Sequence, residues 1–147
     1  MALRLELAWA AGFFDGEGCI FASDGKTKKQ RRIVAHISIS NTFPSPVKRF
    51  KTIFQCGKIA VRRATKQRRT SFTWKVWDQE AATILAKLLP YLENKKQEAR
   101  WFIQLMGLRK KWKPGKRKGE GRIPYKRTRQ VALVDRIRTA KHHDWGK

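Results

Sequence analysis

Two carboxylates separated by a single glycine, Asp15-Gly16-Glu17, close an apolar run that begins at Leu3, and Gly18 follows at once. Carboxylate and carbonyl oxygens are hard donors of the kind Mg²⁺ prefers. A helix ending in glycine, acid and glycine sets a carboxylate at its tip beside backbone that can bend toward an ion. Taken alone, the pattern fits an ordinary solvated helix-end carboxylate better than a metal ligand. Other site chemistry is poorly supplied. Cys19 and Cys56 are the only cysteines; they form no Cys-x-x-Cys pair and have no histidine at ligand spacing. A zinc site and a disulfide framework are both disfavoured, and the composition suits an intracellular protein.

The acids need elements to position them. Leu5 to Phe14 reads as a helix, with Leu3, Leu7, Ala11 and Phe14 on one apolar stripe and Ala8, Ala11 and Gly12 forming a flat strip of small residues. Cys19 to Ser23 reads as a strand with Ile20 and Ala22 on one face, and Asp24-Gly25 as a turn. From Ile33 to Ser40 the pattern alternates: Ile33, Ala35, Ile37 and Ile39 face one way, Val34, His36, Ser38 and Ser40 the other. A helix over Pro46 to Gln55 ends at Gly57. The segments Lys58–Lys66 and Arg69–Trp77 then form a second hairpin, with Ile59 and Val61 opposite Phe72, Trp74 and Val76. Helices follow over Gln79 to Leu89, broken by Pro90, and over Asn94 to about Lys111. A basic loop (112–127) and a terminal helix (128–141) complete a chain read as one domain with its core in 1–111. The order predicts an α+β domain: hairpins in one sheet, helices on one face, polar side chains on the other.

Charge says what that polar face meets. Lys and Arg total 35 against 11 Asp and Glu, a formal net charge of +24. Such an excess repels itself and persists most readily opposite a polyanion, with nucleic acid first and an anionic membrane surface second. The apolar N-terminal run is interrupted by Glu6 and closed by Asp15 and Glu17, and no stretch reaches the roughly 20 apolar residues of a membrane span, so a soluble, unprocessed chain is expected.

The segment Ala10-Ala11-Gly12-Phe13-Phe14-Asp15-Gly16-Glu17-Gly18 resembles the LAGLIDADG signature of homing endonucleases and related maturases. Small residues hold the Ala-Gly positions, aromatics replace the Leu-Ile pair, and acids stand at both acidic positions. The resemblance implies an αββαββα core with extra C-terminal helices, its curved antiparallel sheet forming a DNA-binding saddle. This layout agrees with the elements read between Leu5 and Lys111. It further implies a single-motif enzyme that acts as a homodimer with Mg²⁺ (or Mn²⁺) and hydrolyses both strands of a long near-palindromic DNA site.

Under this resemblance the second acid, Glu17, is the metal ligand, with the Gly16 carbonyl as a further donor, while Asp15 is structural. Two helices packed through Ala8, Ala11 and Gly12 would bring both Glu17 carboxylates to the symmetry axis, because small residues let helix axes approach closer than usual. Two more positions carry over. Asn41, after the second strand, would order water or a phosphate; it equally suits a turn before the following helix. Lys95, after the proline break, would stabilise phosphate charge or polarise the attacking water, with Lys96 as its rival. Some relatives carry a basic residue where this chain has Ser45, with Lys48 and Arg49 beyond, which leaves the basic partner of the water network open.

Outward strand residues Ser23, Arg32, His36, Ser38, Arg62, Ser71, Thr73 and Lys75 are the candidate base readers, since arginine pairs with guanine and hydroxyls adapt to several bases. The hairpin tips, Lys26, Lys28, Lys29 and Gln30 in one and Lys66, Arg68 and Arg69 in the other, would reach the outer edges of the site. Arg109, Lys110, Lys111, Lys113, Lys116, Arg117 and Lys118 would hold phosphates, which position a protein without specifying sequence. Three alternatives compete: an RNA-binding maturase on the same fold, a catalytically inactive DNA-binding regulator, and a ribosomal-type RNA clamp. The charge suits all three; the intact acids favour cleavage.

Overall fold

The computed structural model describes residues 2–26, 31–111 and 125–140. Its elements run α1 (Ala2–Glu17), β1 (Gly18–Lys26), β2 (Arg31–Asn41), α2 (Pro44–Phe54), β3 (Lys58–Arg62), β4 (Ser71–Trp77), α3 (Asp78–Leu88), a 3₁₀ turn at Leu89–Tyr91, α4 (Lys96–Lys111) and α5 (Tyr125–Ala140). The strands form one antiparallel sheet in the order β1-β2-β4-β3. This is the expected α+β layout, helices on one sheet face and polar residues on the other.

The alternation of β2 sets the core. Ile33, Ala35, Ile37 and Ile39 are all buried, joined by Ile20 and Ala22 from β1 and Trp74 and Val76 from β4. The helices close over them with Phe14, Phe50, Leu85, Leu88 and Phe102. Ile59 pairs with Trp74 and Val61 with Phe72, as the pattern requires. Trp74 is fully buried, rests on Phe50 at 5.3 Å and Phe54 at 5.9 Å between ring centres, and donates its indole N–H to the Cys56 carbonyl at 2.9 Å. Gly57 makes that arrangement feasible: its φ is +82°, and a Cβ there would lie 2.5 Å from Trp74 Nε1. A second packed layer forms where α5 lies against α4 and β1, through Leu133, Val134 and Ile137.

Several boundaries depart from the sequence reading. Asp24-Gly25 is not a turn: β1 continues through it, pairing Asp24 with Ile33, Gly25 with Arg32 and Lys26 with Arg31. A long partner strand outweighs local turn preference, because each further residue extends the ladder. β3 stops at Arg62 rather than Lys66, and β4 starts at Ser71 rather than Arg69; between them Thr65 and Arg68 form an isolated bridge. Leu3, expected on the buried stripe, is 67% exposed, because α1 begins beyond the edge of the core it packs on.

Candidate active site and candidate nucleic-acid interface

Helix α1 delivers the two acids to one end of the sheet. It runs through Glu17, and β1 begins at the next residue. Gly18 is required at this junction, since a Cβ would fall 2.4 Å from the Phe14 carbonyl oxygen. Asp15 and Glu17 then diverge. The Asp15 carboxylate accepts three successive amides from the turn before α4: Glu93 N at 2.6 Å and Asn94 N at 3.3 Å on Oδ2, and Lys95 N at 3.0 Å on Oδ1. Hydrogen bonds to an ionised acceptor are among the stronger ones. Asp15 is therefore structural, and it fastens residues about 80 positions apart. Glu17 and Gly16 stay exposed, their oxygens open to an ion or to solvent.

Lys95 completes the arrangement. Its ammonium donates to the backbone carbonyl of Asp15 at 2.5 Å, while its own carbonyl accepts the Ala99 N–H at 2.9 Å and starts α4. A cation at the C-terminal end of α1 also suits the partial negative charge of that helix end. The fold thus brings Lys95 against the Asp15-Gly16-Glu17 segment. Asn41 stands at the same end of the sheet, two residues beyond Ile39, the partner of Gly18. Its Oδ1 accepts the Phe43 N–H at 2.9 Å, closing the turn into α2. Of the basic residues near Ser45, Arg49 is engaged: its guanidinium donates to Glu6 at 3.0 and 3.1 Å and lies 3.9 Å over the Trp9 ring. Lys48 remains on the exposed side of α2.

The strip expected to carry a dimer differs in one member. Ala8 and Gly12 are exposed, but Ala11 is fully buried in the protomer's own core. Residue 11 lies about 100° around the helix from residue 12, on the side that carries Ala10 and Phe14 into the core. The exposed stripe is Leu5, Ala8, Gly12 and Gly16. Leu5 is 67% exposed, and a Cβ at Gly12 or Gly16 would meet nothing within 4 Å.

The outer sheet face forms rows. Cys19, Ser38, Lys75 and Lys58 share one row; Phe21, His36 and Trp77 the next; Ser23 and Val34 a third. On the other side, Ser40 pairs with Thr73, their hydroxyls 2.7 Å apart, and Arg62 pairs with Ser71. The expected readers Ser23, His36, Ser38, Arg62, Ser71, Thr73 and Lys75 thus occupy one face. Phe21, Trp77 and Lys58 share it and were not singled out, although the alternation around Ile20 and Trp74 already placed them there. Arg32 and Lys26 belong to the β1–β2 ladder. Lys66, Arg68 and Arg69 are exposed in the β3–β4 loop. Lys111 ends α4. Lys28, Lys29, Gln30, Lys113, Lys116, Arg117 and Lys118 lie outside the described residues. Arg109, expected on phosphate, instead pairs with Asp78 at 2.5 Å and ties α4 to the start of α3. Burial, and then the charge of Glu80, push the Cys56 thiol up from its ordinary range.

The sequence profile described as LAGLIDADG endonuclease matches residues 10–104, a span that holds the motif, both hairpins and most of α4. The chain belongs to the LAGLIDADG endonuclease family. Among curated proteins, the DNA endonuclease I-CvuI of Chlorella vulgaris is 32% identical over 108 residues, covering 70% of this chain and 65% of that protein's length. Among solved structures, I-CvuI in complex with its target in the presence of calcium superposes with a TM-score of 0.77 at 22% identity, over 99% of this chain and 86% of that one. The archaeal intron-encoded homing endonuclease I-Vdi141I, complexed with DNA, gives 0.74 at 16% identity over 98% and 87%. I-SmaMI bound to cleaved DNA gives 0.62 at 19% identity, over 88% of this chain but only 41% of that one. At these identities the superpositions establish the shared fold. Among the described residues no helix is long and apolar enough to cross a membrane.

Proposed function

We propose that this LAGLIDADG domain is a site-specific double-strand DNA endonuclease. In this reading it uses Mg²⁺ or Mn²⁺, acts as a homodimer on a long near-palindromic duplex, and works inside the cell where that duplex resides. The observation that carries the proposal is the convergence of Glu17, the Gly16 carbonyl and Lys95 at one end of a sheet whose opposite face is polar and basic. The exposed carboxylate and carbonyl are hard oxygens and fit a divalent ion. Among the described residues no group of three or more His, Cys, Asp or Glu could hold a metal. A second copy of the same helix end and the phosphates of the DNA would supply further ligands. Bound there, a divalent ion supplies Lewis-acid stabilisation of the charge that develops on the phosphate. Lys95 adds a fixed positive charge beside it, and Asn41 a polar group at the same end of the sheet.

The α1 stripe supports the dimer. Gly12 and Gly16 have no steric reason inside the protomer to lack a side chain, and Ala8 and Leu5 continue the same exposed line. Close helix–helix approach gives the small residues a purpose and covers Leu5. The similarity to 41% of the longer I-SmaMI chain agrees with a fold that serves as half of a complete enzyme.

The test is incubation of the protein with a randomised duplex library and Mg²⁺, followed by sequencing of cut ends, with a chelator arm and a Glu17→Gln arm. Staggered cuts at one near-palindromic sequence, abolished in both control arms, are expected. The native mass of the complex on that duplex should correspond to two chains. Tight binding by the wild type without any cutting would overturn the nuclease reading.

A further inference from the structure

On a face built from serine, threonine, lysine and arginine, three large apolar side chains stand exposed side by side: Phe21 at 36%, Val34 at 41% and Trp77 at 40%. The register makes them one patch. Phe21 pairs with His36 and His36 with Trp77, so the three form a row across β1, β2 and β4, and Val34 stands two residues from His36 on the same face. Phe21 stacks on the His36 ring at 4.7 Å, which stiffens the row. Where β4 ends, the row borders an open cleft of about 260 Å³ lined by Ile33, Val34, Ala35, Trp77 and Asp78.

Apolar surface of this kind is costly to leave in water. Its occupant is set by its surroundings. Lys58 and Lys75 stand in the adjacent row, on a chain of net charge +24, so the approaching surface is a polyanion. Three strands at about 4.8 Å spacing give a row roughly 10 Å across, which fits a major groove about 12 Å wide. Outward residues recur every ~6.8 Å along a strand, about two base-pair steps, so each row addresses its own short stretch of sequence. Within the major groove only one base edge carries an apolar group, the C5-methyl of thymine. A G·C pair under the same row would set polar edge atoms against Phe21 and Trp77 and leave them desolvated without partners.

Resting on the reading of this face as the DNA-binding surface, we propose that the Phe21–His36–Trp77 row with Val34 is a thymine-methyl reader, and that it selects A·T pairs at one symmetric pair of positions in the target. Sequence choice there comes from methyl burial, whereas the flanking rows, with Lys58, Lys75 and Ser38 on one side and Ser23 on the other, read hydrogen-bonding edges.

The experiment uses the full-length protein and a duplex selected from a random pool by binding alone. Each thymidine is replaced in turn by deoxyuridine, which removes only the methyl, and the affinity is measured. Loss of roughly four-fold per methyl is expected at one symmetric pair of positions, the scale set by burying a single carbon. At those positions 5-methylcytosine should bind more tightly than cytosine. Phe21→Ala and Trp77→Ala should erase the thymine–uracil difference there and preserve it elsewhere, with thermal melting confirming that both variants fold. Equal affinity across the whole uracil series, measured on wild-type protein and therefore independent of any variant's folding, overturns the methyl reader while leaving duplex recognition intact. Selection of no duplex at all overturns both this inference and the reading on which it rests.

Discussion

The candidate active site and the outer sheet face are built on opposite plans. At the α1–α4 end, one carboxylate collects three backbone amides and one ammonium is held on a backbone carbonyl, so the positions of Asp15, Lys95 and the turn between them are fixed several times over. On the sheet face, among the described residues, Ser23, Ser38, Arg62, Ser71 and Lys75 make no hydrogen bond or ion pair with another side chain, and Ser40 with Thr73 is the exception. The chemistry needs atoms held to a fraction of an ångström, which internal bonds provide. Recognition needs donors and acceptors left over for the ligand, and internal bonds would use them up. The same contrast separates Asp15 from Glu17, two residues apart on one helix: one acid is used up by the fold, the other is left open.

The largest effect should come from the open acid. Glu17→Gln is expected to lower cleavage on the order of 1,000-fold while leaving duplex affinity within a few-fold, read by single-turnover cutting beside equilibrium binding. A parallel loss of binding would mean that Glu17 belongs to the framework rather than to the chemistry. Next come the two residues that hold the end together, which should separate. Lys95→Ala should reduce cleavage about 100-fold with little change in melting temperature. Asp15→Ala should lower the melting temperature by roughly 5–10 °C, because charge-assisted bonds to three amides disappear, and cleavage should fall with it. If Asp15→Ala melts like the wild type, its hydrogen bonds are not what fixes the α1–α4 junction.

A smaller effect tests the stripe between copies. Gly12→Leu starts where a Cβ meets nothing within 4 Å, so the single chain should melt no lower than wild type, while self-association weakens roughly ten-fold or more. Sedimentation over a concentration series reads this directly, and an unchanged dimer would place the interface elsewhere. The smallest effect belongs to one surface cation. Lys75→Ala should weaken DNA binding only a few-fold and reduce the log–log salt slope by about one if the lysine sits on a phosphate, but leave the slope unchanged if it reads a base.

Much of this fold is legible in the chain. The alternation from Ile33 to Ile39 yields β2, its buried face and the outward row of His36 and Ser38, because only an extended chain returns to the same face at every second residue. The motif locates the acids, and the spacing of Phe72, Trp74 and Val76 supplies the second hairpin with its partners. The departures share a cause. Asp24-Gly25 carries a turn signal but pairs within a ladder, Ala11 has the size of an interface residue but faces its own core, and Arg109 sits in a basic run but answers Asp78, 31 residues away. In each case a long-range partner outweighed the local preference.

Periodicity, charge and motif are therefore written in the chain alone: which strand residues face the core, that a polyanion is the expected partner, and which short segment carries the acids. These are properties of neighbours along the backbone. Tertiary packing was needed to make Asp15 a fastener and leave Glu17 open, to bring Lys95 to the end of α1, and to set Phe21 and Trp77 in one row. The physical reason is that a hydrogen bond between residues 15 and 95, or a row across three strands, depends on chain reversals whose geometry no local stretch encodes.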